Sequence, residues 1–438
     1  MDVTVQLPSK VPCIVLGAGH AGLATSYELT QRRVPHVILD RGRVAETWRS
    51  KRWDAFTMIM PNWGLDLPGY PFEGDRDAFS TRDQAVARFE AYAASFGAPL
   101  RSGVTVRAIE QGPDEDWPLT IETDHGVILT KAVVVATGIY QVPRSPWFAE
   151  LVSPEITQLD PDHFRNPHSV PDGATLVVGS GASGTQIAED LLLASRRVFL
   201  AVGRAGRQPR RYRGIDSSRW NRYPGISGTG DQTAGESGGG AARTGRGGGD
   251  HDTNLHRFAR DGMHLLGHVT GVSLSSHATL TVARDLHATL AWVDHFDFAW
   301  RKRVDAYAEQ HREAIERETG KTITPPQGRP DDALLDGFDQ PERTELDLRA
   351  EGITGIVWAI GYDTDYSVVR FPVIGHDGHP IHEGGLTDVP GLFFAGMTFR
   401  GDRPKSSFIG IVGPEVAAIA DHVATLVGCP DVVALAGS

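Results

Sequence analysis

A strand that runs into a glycine-rich turn and out into a helix constrains a chain more than any other short feature, and this sequence carries it twice. The first copy starts at Cys13. Ile14, Val15 and Leu16 form an apolar run that predicts a buried parallel strand. Gly17-x-Gly19-x-x-Gly22 follows, with His20 and Ala21 inside the turn, and Leu23 to Leu29 has a helical pattern. A second strand, Val37 to Leu39, ends in Asp40. This is the whole dinucleotide fingerprint. Gly17 permits the tight turn, Gly19 lets the backbone approach a pyrophosphate, and Gly22 lets helix and strand pack closely. The helix start offers unpaired N–H groups to phosphate, and Asp40 accepts hydrogen bonds from a ribose.

The second copy starts at Thr175. Leu176 to Val178 predicts a strand, Gly179-Ser180-Gly181-Ala182-Ser183-Gly184 the turn, and Gln186 to Leu192 the helix. The next strand, Val198 to Val202, ends without an acid. Arg204, Arg207, Arg210 and Arg211 follow instead. A carboxylate there repels a 2′-phosphate and arginines bind it, so this site predicts NADPH rather than NADH. One acid-ended and one base-ended site suit FAD first and NADPH second.

At 438 residues the chain is too long for one ordinary core, and two or three domains are expected. The formal net charge of -12 argues against nucleic acid or an anionic membrane surface as a partner. Only two cysteines occur, Cys13 and Cys429, so neither a disulfide framework nor a C-x-x-C redox pair is present. The polar start from Met1 to Val11 and the lack of a membrane-length apolar run predict a cytoplasmic protein.

Between the copies lies an aromatic loop with Trp48, Trp53, Phe56, Trp63 and Phe72, suited to cover a planar ligand. Arg82 to Phe96 has helical spacing, and short alternating runs at 104–106 and 119–121 predict a small antiparallel sheet. Ala132 to Gly138 predicts a buried strand ending in small residues, echoed by Ile353 to Tyr362. From Gly214 to Asp250 the chain is rich in Gly, Ser and Thr, which predicts a mobile loop. Helices are expected at 256–266, at 297–319 and from Pro414 to Val427. His264 and His268 have the four-residue spacing of metal ligands, but no third ligand is evident and no metal is expected. Trp292, Phe296, Phe298 and Trp300 read as core.

The expected fold is α/β, with two Rossmann-like dinucleotide-binding domains and a helical and loop insert in the second. Residues 1–168 begin the FAD domain and 169–213 the NADPH domain. Residues 214–345 form a substrate-related cap, 346–365 return to the NADPH domain, and 366–438 return to the FAD domain.

The G-A-G-H-A-G at Gly17, A-T-G at Gly138, G-S-G-A-S-G at Gly179, A-I-G-Y at Tyr362 and the T-D-V-P-G-L-F-F-A-G ending at Gly396 resemble the flavin-containing monooxygenase family in the broad sense. The likeness is nearest its bacterial branch of FAD/NAD(P)-dependent oxidoreductases. It covers nearly the whole chain except the Gly-rich insert. The family's F-x-G-x-x-x-H motif is missing, since the corresponding stretch runs His163-Phe164-Arg165-Asn166-Pro167-His168. The resemblance implies an NADPH-consuming monooxygenase that transfers one oxygen atom from O2 to a small substrate through a flavin C4a-hydroperoxide. N-hydroxylation, S-oxidation and aromatic oxygenation stay open. An NADPH oxidase or reductase of the same fold is the alternative. The resemblance puts FAD phosphates at Gly17, Gly19 and Gly22, Trp48 along the flavin, and NADPH phosphates at Gly181, Ser183 and Gly184, with the 2′-phosphate near Arg204. Arg41, Thr47, Val106, Ala136, Thr137, Gly361 and Met397 complete the expected cofactor contacts. Asn62 and Trp48 are the candidate catalytic residues, with Asn62 offering an amide to the flavin or peroxide, or equally capping its own turn. Tyr362, Arg400, Asp402, Lys405 and Ser407 lie on segments expected near the flavin. The expected partners are a small substrate and O2, with no nucleic acid or membrane, and a homodimer is left open.

Overall fold

The computed structural model describes residues 6–226, 241–326, 328, 330–397 and 407–429. The chain divides into two compact units. The first comprises Met1–Ser50, Pro61–Val142 and Tyr362–Ser438, and the second Lys51–Met60 and Pro143–Gly361.

In the first unit, β1 (Lys10–Leu16) leads to α1 (His20–Gln31) and β2 (His36–Asp40). The helices α2 (Glu46–Lys51) and α3 (Arg82–Ser95) follow, then β3 (Leu100–Ser102), β4 (Val106–Gln111), β5 (Leu119–Thr123) and β6 (Gly126–Val135). The sheet order is β3-β2-β1-β6-β5-β4, with the strand Leu392–Phe394 also paired to β6. The long β6 serves three ladders, the third with Leu392–Phe394. It runs antiparallel to β5, and parallel to β1 from Lys10↔Leu129 to Leu16↔Val135. Burial on both faces explains the unbroken apolar run of β1, where Cys13, Ile14 and Val15 are fully inaccessible. A capping box between Thr81 and Gln84 starts α3, and its Val86, Phe89 and Tyr92 turn into the core. The helix Gly413–Val427 closes the described chain.

The second unit repeats the plan. Its strands β7 (Thr157–Leu159), β8 (Ala174–Val178), β9 (Val198–Ala201), β10 (His264–Leu266) and β14 (Ile353–Trp358) form an all-parallel sheet in the order β10-β9-β8-β14-β7. Helix α4 (Ala182–Leu193) joins β8 to β9, and α5 (Ser217–Trp220) and α6 (Leu255–Arg260) lie between β9 and β10. Three antiparallel strands follow, β11 (Val269–Ser273), β12 (Ser276–Val282) and β13 (Glu345–Asp347). The 34-residue helix α7 (Leu286–Thr319) is inserted between β12 and β13.

The fold is α/β with Rossmann-like sheets, as expected, but the insert is not one block. β10, β11 and β12 fall inside 214–345, yet β10 joins the parallel sheet and β12 shares its core. The cap therefore comes from two segments, one before α6 and one around α7. They share a core of Tyr212, Ile215, Trp220, Trp300, Val304 and Ile315. The helix expected over 256–266 is α6 followed by β10, because three residues suffice for a strand that pairs in parallel with β9. Of the aromatic set expected in the core, Trp300 is buried, while Trp292 and Phe298 are exposed. The Gly-rich stretch also divides. Residues 227–240 lie outside the described residues, whereas Arg243 is buried and Ala242 bridges to Arg207.

Candidate dinucleotide sites

Each unit builds one site from the same three glycines. In the first, Gly17 has φ 106°, and a Cβ there would stand 2.6 Å from the Ala136 carbonyl oxygen at the end of β6. A Cβ on Gly22 would stand only 1.9 Å from the Gly17 oxygen, which forces close helix–strand packing. At Gly19 a Cβ would meet nothing within 4 Å. The space beside Gly19 is therefore open, at the start of a helix whose N-cap makes no side-chain hydrogen bond. Open N–H groups at the positive end of a helix dipole favour phosphate.

Asp40 sits at the end of β2. Its Oδ2 accepts from the Ala18 N–H at 2.6 Å and its Oδ1 from the Gly42 N–H at 2.7 Å. The carboxylate thus ties strand end to phosphate turn and keeps lone pairs for a ribose hydroxyl. Ala21 is buried, His20 and Val106 are half-buried, and Arg41 and Thr47 are exposed. The half-buried Trp48 ring lies 6.1 Å from that of Phe89. At the Ala136-Thr137-Gly138 turn, Gln141 Nε2 donates to the Gly138 carbonyl, and its Oε1 accepts from the Asp365 N–H. Gly396, at φ 75°, donates its N–H to Glu415 Oε1. The Met397 sulfur accepts from the Tyr366 hydroxyl, whose pKa burial pushes up. Gln141 and Glu415 escaped the sequence reading because neither lies in a fingerprint.

Asn62 is engaged within its own loop. Its Nδ2 donates to the Asp75 carbonyl, its Oδ1 accepts from the Ser80 hydroxyl, and it is buried in the loop it organises. This is turn-stabilising chemistry, the other role open to Asn62. Trp63 is likewise buried within the first unit, and Trp53 and Phe56 within the second, so these aromatics anchor the loop. Arg400, Asp402 and Lys405 lie outside the described residues.

In the second unit Gly179 has φ 107°, with its Cβ position 2.4 Å from the Ala359 oxygen, and that of Gly184 is 1.8 Å from the Gly179 oxygen. Gly181 again faces space with nothing within 4 Å, and α4 begins with Ala182 and Ser183 without a side-chain cap. No acid ends β9. Instead the Ser180 hydroxyl donates to the Gly203 carbonyl and accepts from its N–H, both at 3.0 Å.

The arginines after β9 separate sharply. Arg204 is exposed and makes no ion pair among the described residues. Arg207 is buried against Asp297 at 3.1 Å, with Asp294 and Asp332 at 3.8 and 3.9 Å. Its charge is matched inside the cap, so the 2′-phosphate role expected of Arg207 is corrected. Burial pushes the Asp297 carboxyl up, against the pull of Arg207 and Arg301. Arg210 is spent in the same way on Asp216. Gly361 is exposed at φ 101°, and the Tyr362 ring packs edge-on against Tyr140. His264 lies on β10 and His268 on the loop after it, so they share no helix. Among the described residues no cluster suits a metal ion. No helix among them is long and apolar enough to cross a membrane.

Two phosphate turns with open second glycines fit two dinucleotides. Residues 14–218 match the family described as Pyridine nucleotide-disulphide oxidoreductase. The match spans just under half of the chain. Across 94% of its length it is 26% identical to an uncharacterized CzcO-like oxidoreductase of Geobacillus kaustophilus, covering 98% of that protein. It is 32% identical to the indole-3-pyruvate monooxygenase YUCCA1 of Oryza sativa subsp. japonica, over 41% of this chain and 44% of the relative. Among solved structures, a flavin-containing monooxygenase from Stenotrophomonas maltophilia superposes with a TM-score of 0.63 at 15% identity, over 95% of this chain and 99% of that one. A bacillithiol disulfide reductase from Staphylococcus aureus gives 0.59 at 15%, with the same coverage. These structural likenesses establish the fold. The protein is an oxidoreductase, but its sequence lacks a C-x-x-C thiol pair. Cys13 is buried in β1 with its thiol pKa pushed up by burial, and Cys429 is the other cysteine of the chain.

Proposed function

We propose that this oxidoreductase is an FAD- and NADPH-dependent monooxygenase acting on a small organic substrate. The observation that carries the reading is the doubled site: open space at Gly19 and at Gly181, each above a helix start without a side-chain cap. The acid at the end of β2 and the exposed Arg204 after β9 support FAD in the first site and NADPH in the second. The absence of paired thiols argues against disulfide reduction, and the partial similarity to a plant monooxygenase supports oxygen transfer.

Bound flavin would take a hydride from the nicotinamide and supply the oxygen chemistry. The chain's own residues would bind and orient. The N–H groups at His20 and Ala21 would hold one pyrophosphate and those at Ala182 and Ser183 the other. Asp40 would accept from the adenosine ribose of FAD, and Arg204 would pair with the 2′-phosphate of NADPH.

One observation favours a second reading, an NADPH oxidase or reductase of the same architecture. Asn62 uses one N–H on Asp75 and its Oδ1 on Ser80, inside the loop it organises. The deciding experiment reduces the purified flavoprotein anaerobically with NADPH, then adds oxygen with candidate amines, sulfides and aromatic acids. Oxygenated product in step with NADPH consumed supports the monooxygenase. Stoichiometric hydrogen peroxide across the whole panel overturns it in favour of the oxidase.

A further inference from the structure

Beyond the arginine, the end of β9 faces a second nitrogen group, His268. Register places it there. β9 and β10 pair in parallel up to Ala201↔Leu266, and the Val202 N–H donates to the Leu266 carbonyl. Two residues further on, Gly203 and His268 lie side by side. Nε2 of His268 is the one atom found within 4 Å of where a Cβ on Gly203 would stand, at 3.8 Å. Gly203 directly precedes Arg204, and the Ser180 hydroxyl binds it to the phosphate turn. The ribose of a dinucleotide held by a Rossmann turn lies at this strand end.

The ring is held rather than loose. Asp285 Oδ2 lies 2.6 Å from His268 Nδ1, and Oδ1 accepts from the His268 N–H at 3.0 Å. Gly267 makes room for this contact, since a Cβ there would stand 2.4 Å from Asp285 Oδ1 and 2.2 Å from the Ala283 oxygen. A carboxylate only accepts, so the Nδ1 proton faces Asp285 and Nε2 is turned outward with no bond among the described residues. A neutral ring would present a lone pair at Nε2. An anionic oxygen there selects the imidazolium, whose charge Asp285 balances. The charged neighbours in the chain are Arg284, exposed beside Asp285, and Arg204 after β9.

We propose that His268, oriented by Asp285, is a second ligand beside Arg204 for the 2′-phosphate of NADPH. The inference deepens the NADPH reading and rests on it. His268 touches the phosphate, while Asp285 is a positioning residue that fixes which nitrogen faces it. The sequence gives little hint of this, because the histidine follows a different strand from the arginines and becomes their neighbour only through sheet pairing.

Calorimetric titration of the flavin-loaded protein with 2′,5′-ADP and with 5′-AMP tests it without turnover. Wild type is expected to prefer 2′,5′-ADP. His268→Ala and His268→Gln should each lose about tenfold or more of the 2′,5′-ADP affinity, the size of one charge-assisted bond, and leave 5′-AMP unchanged. An unchanged 2′,5′-ADP affinity in both variants overturns the inference while leaving NADPH in place. Equal losses for both ligands also overturn it, since the residue would then be shaping the fold. A wild type without preference for 2′,5′-ADP defeats the NADPH reading itself.

Discussion

The two Rossmann-like units solve one mechanical problem with different atoms. Each must tie the phosphate turn to the end of the neighbouring strand. In the first unit Asp40 reaches back from β2 to the Ala18 N–H. In the second the tie runs the other way, from the Ser180 hydroxyl in the turn to both backbone groups of Gly203. Ala18 and Ser180 hold the same place in their turns, one residue after Gly17 and Gly179. The swap has an electrostatic consequence. A carboxylate brace brings a negative charge suited to ribose hydroxyls, whereas a hydroxyl brace brings none and leaves the strand end to Arg204 and His268. The serine brace thus does the work of the acid without bringing a charge that repels a 2′-phosphate.

The comparison breaks most visibly at the glycines. Gly22→Ala and Gly184→Ala each push a Cβ into a backbone oxygen at under 2 Å, and each should cost about 3 kcal/mol in chemical denaturation. Gly19→Val and Gly181→Val face open space and should leave stability nearly unchanged. They should part the functions: the first yields protein without flavin, and the second keeps flavin that NADPH no longer reduces. Flavin retained at full stoichiometry in Gly19→Val would refute the assignment of the first site.

The braces come next. Asp40→Ala removes two charge-assisted bonds and should destabilise by about 2 kcal/mol, with flavin lost more readily on dialysis. Ser180→Ala should cost about 1 kcal/mol and leave flavin in place. If Ser180→Ala proved neutral in denaturant, the hydroxyl brace would lose its meaning.

Arg204→Ala sharpens the chemical half of the contrast. The KM for NADPH should rise by about tenfold or more with that for NADH unaffected, whereas Arg207→Ala should act through stability because buried Asp297 would keep only Arg301 of its two cations. Equal losses for both coenzymes in Arg204→Ala would move the 2′-phosphate contact elsewhere.

The smallest effect lies on α4. The hydrogen bond to Glu189, aided by Asp250, holds the His251 pKa above its ordinary value. A raised folded value means the stabilisation is fully present below the unfolded histidine value and is lost as pH rises through the folded one. The difference in unfolding midpoint between wild type and His251→Gln should shrink as pH rises across that window. A difference independent of pH would remove His251 from the account.

Both glycine turns, the strands feeding them, the acid end of the first and the absence of an acid from the second were legible, because each depends on residues close together in the chain. Asn62 stayed open because an amide in a loop looks equally suited to ligand and to turn, and its turn partners, Asp75 and Ser80, lie 13 and 18 residues on. Arg204 and Arg207 look alike three residues apart, yet one is exposed and the other is buried among carboxylates from α7 and the segment after it. The amino-acid order alone determined that the chain folds around two dinucleotide turns, since turn geometry is set by where a Cβ is missing. The tertiary structure decided which cations remain open to a ligand and which histidine joins them, since that depends on charges and strands brought together from distant parts of the chain.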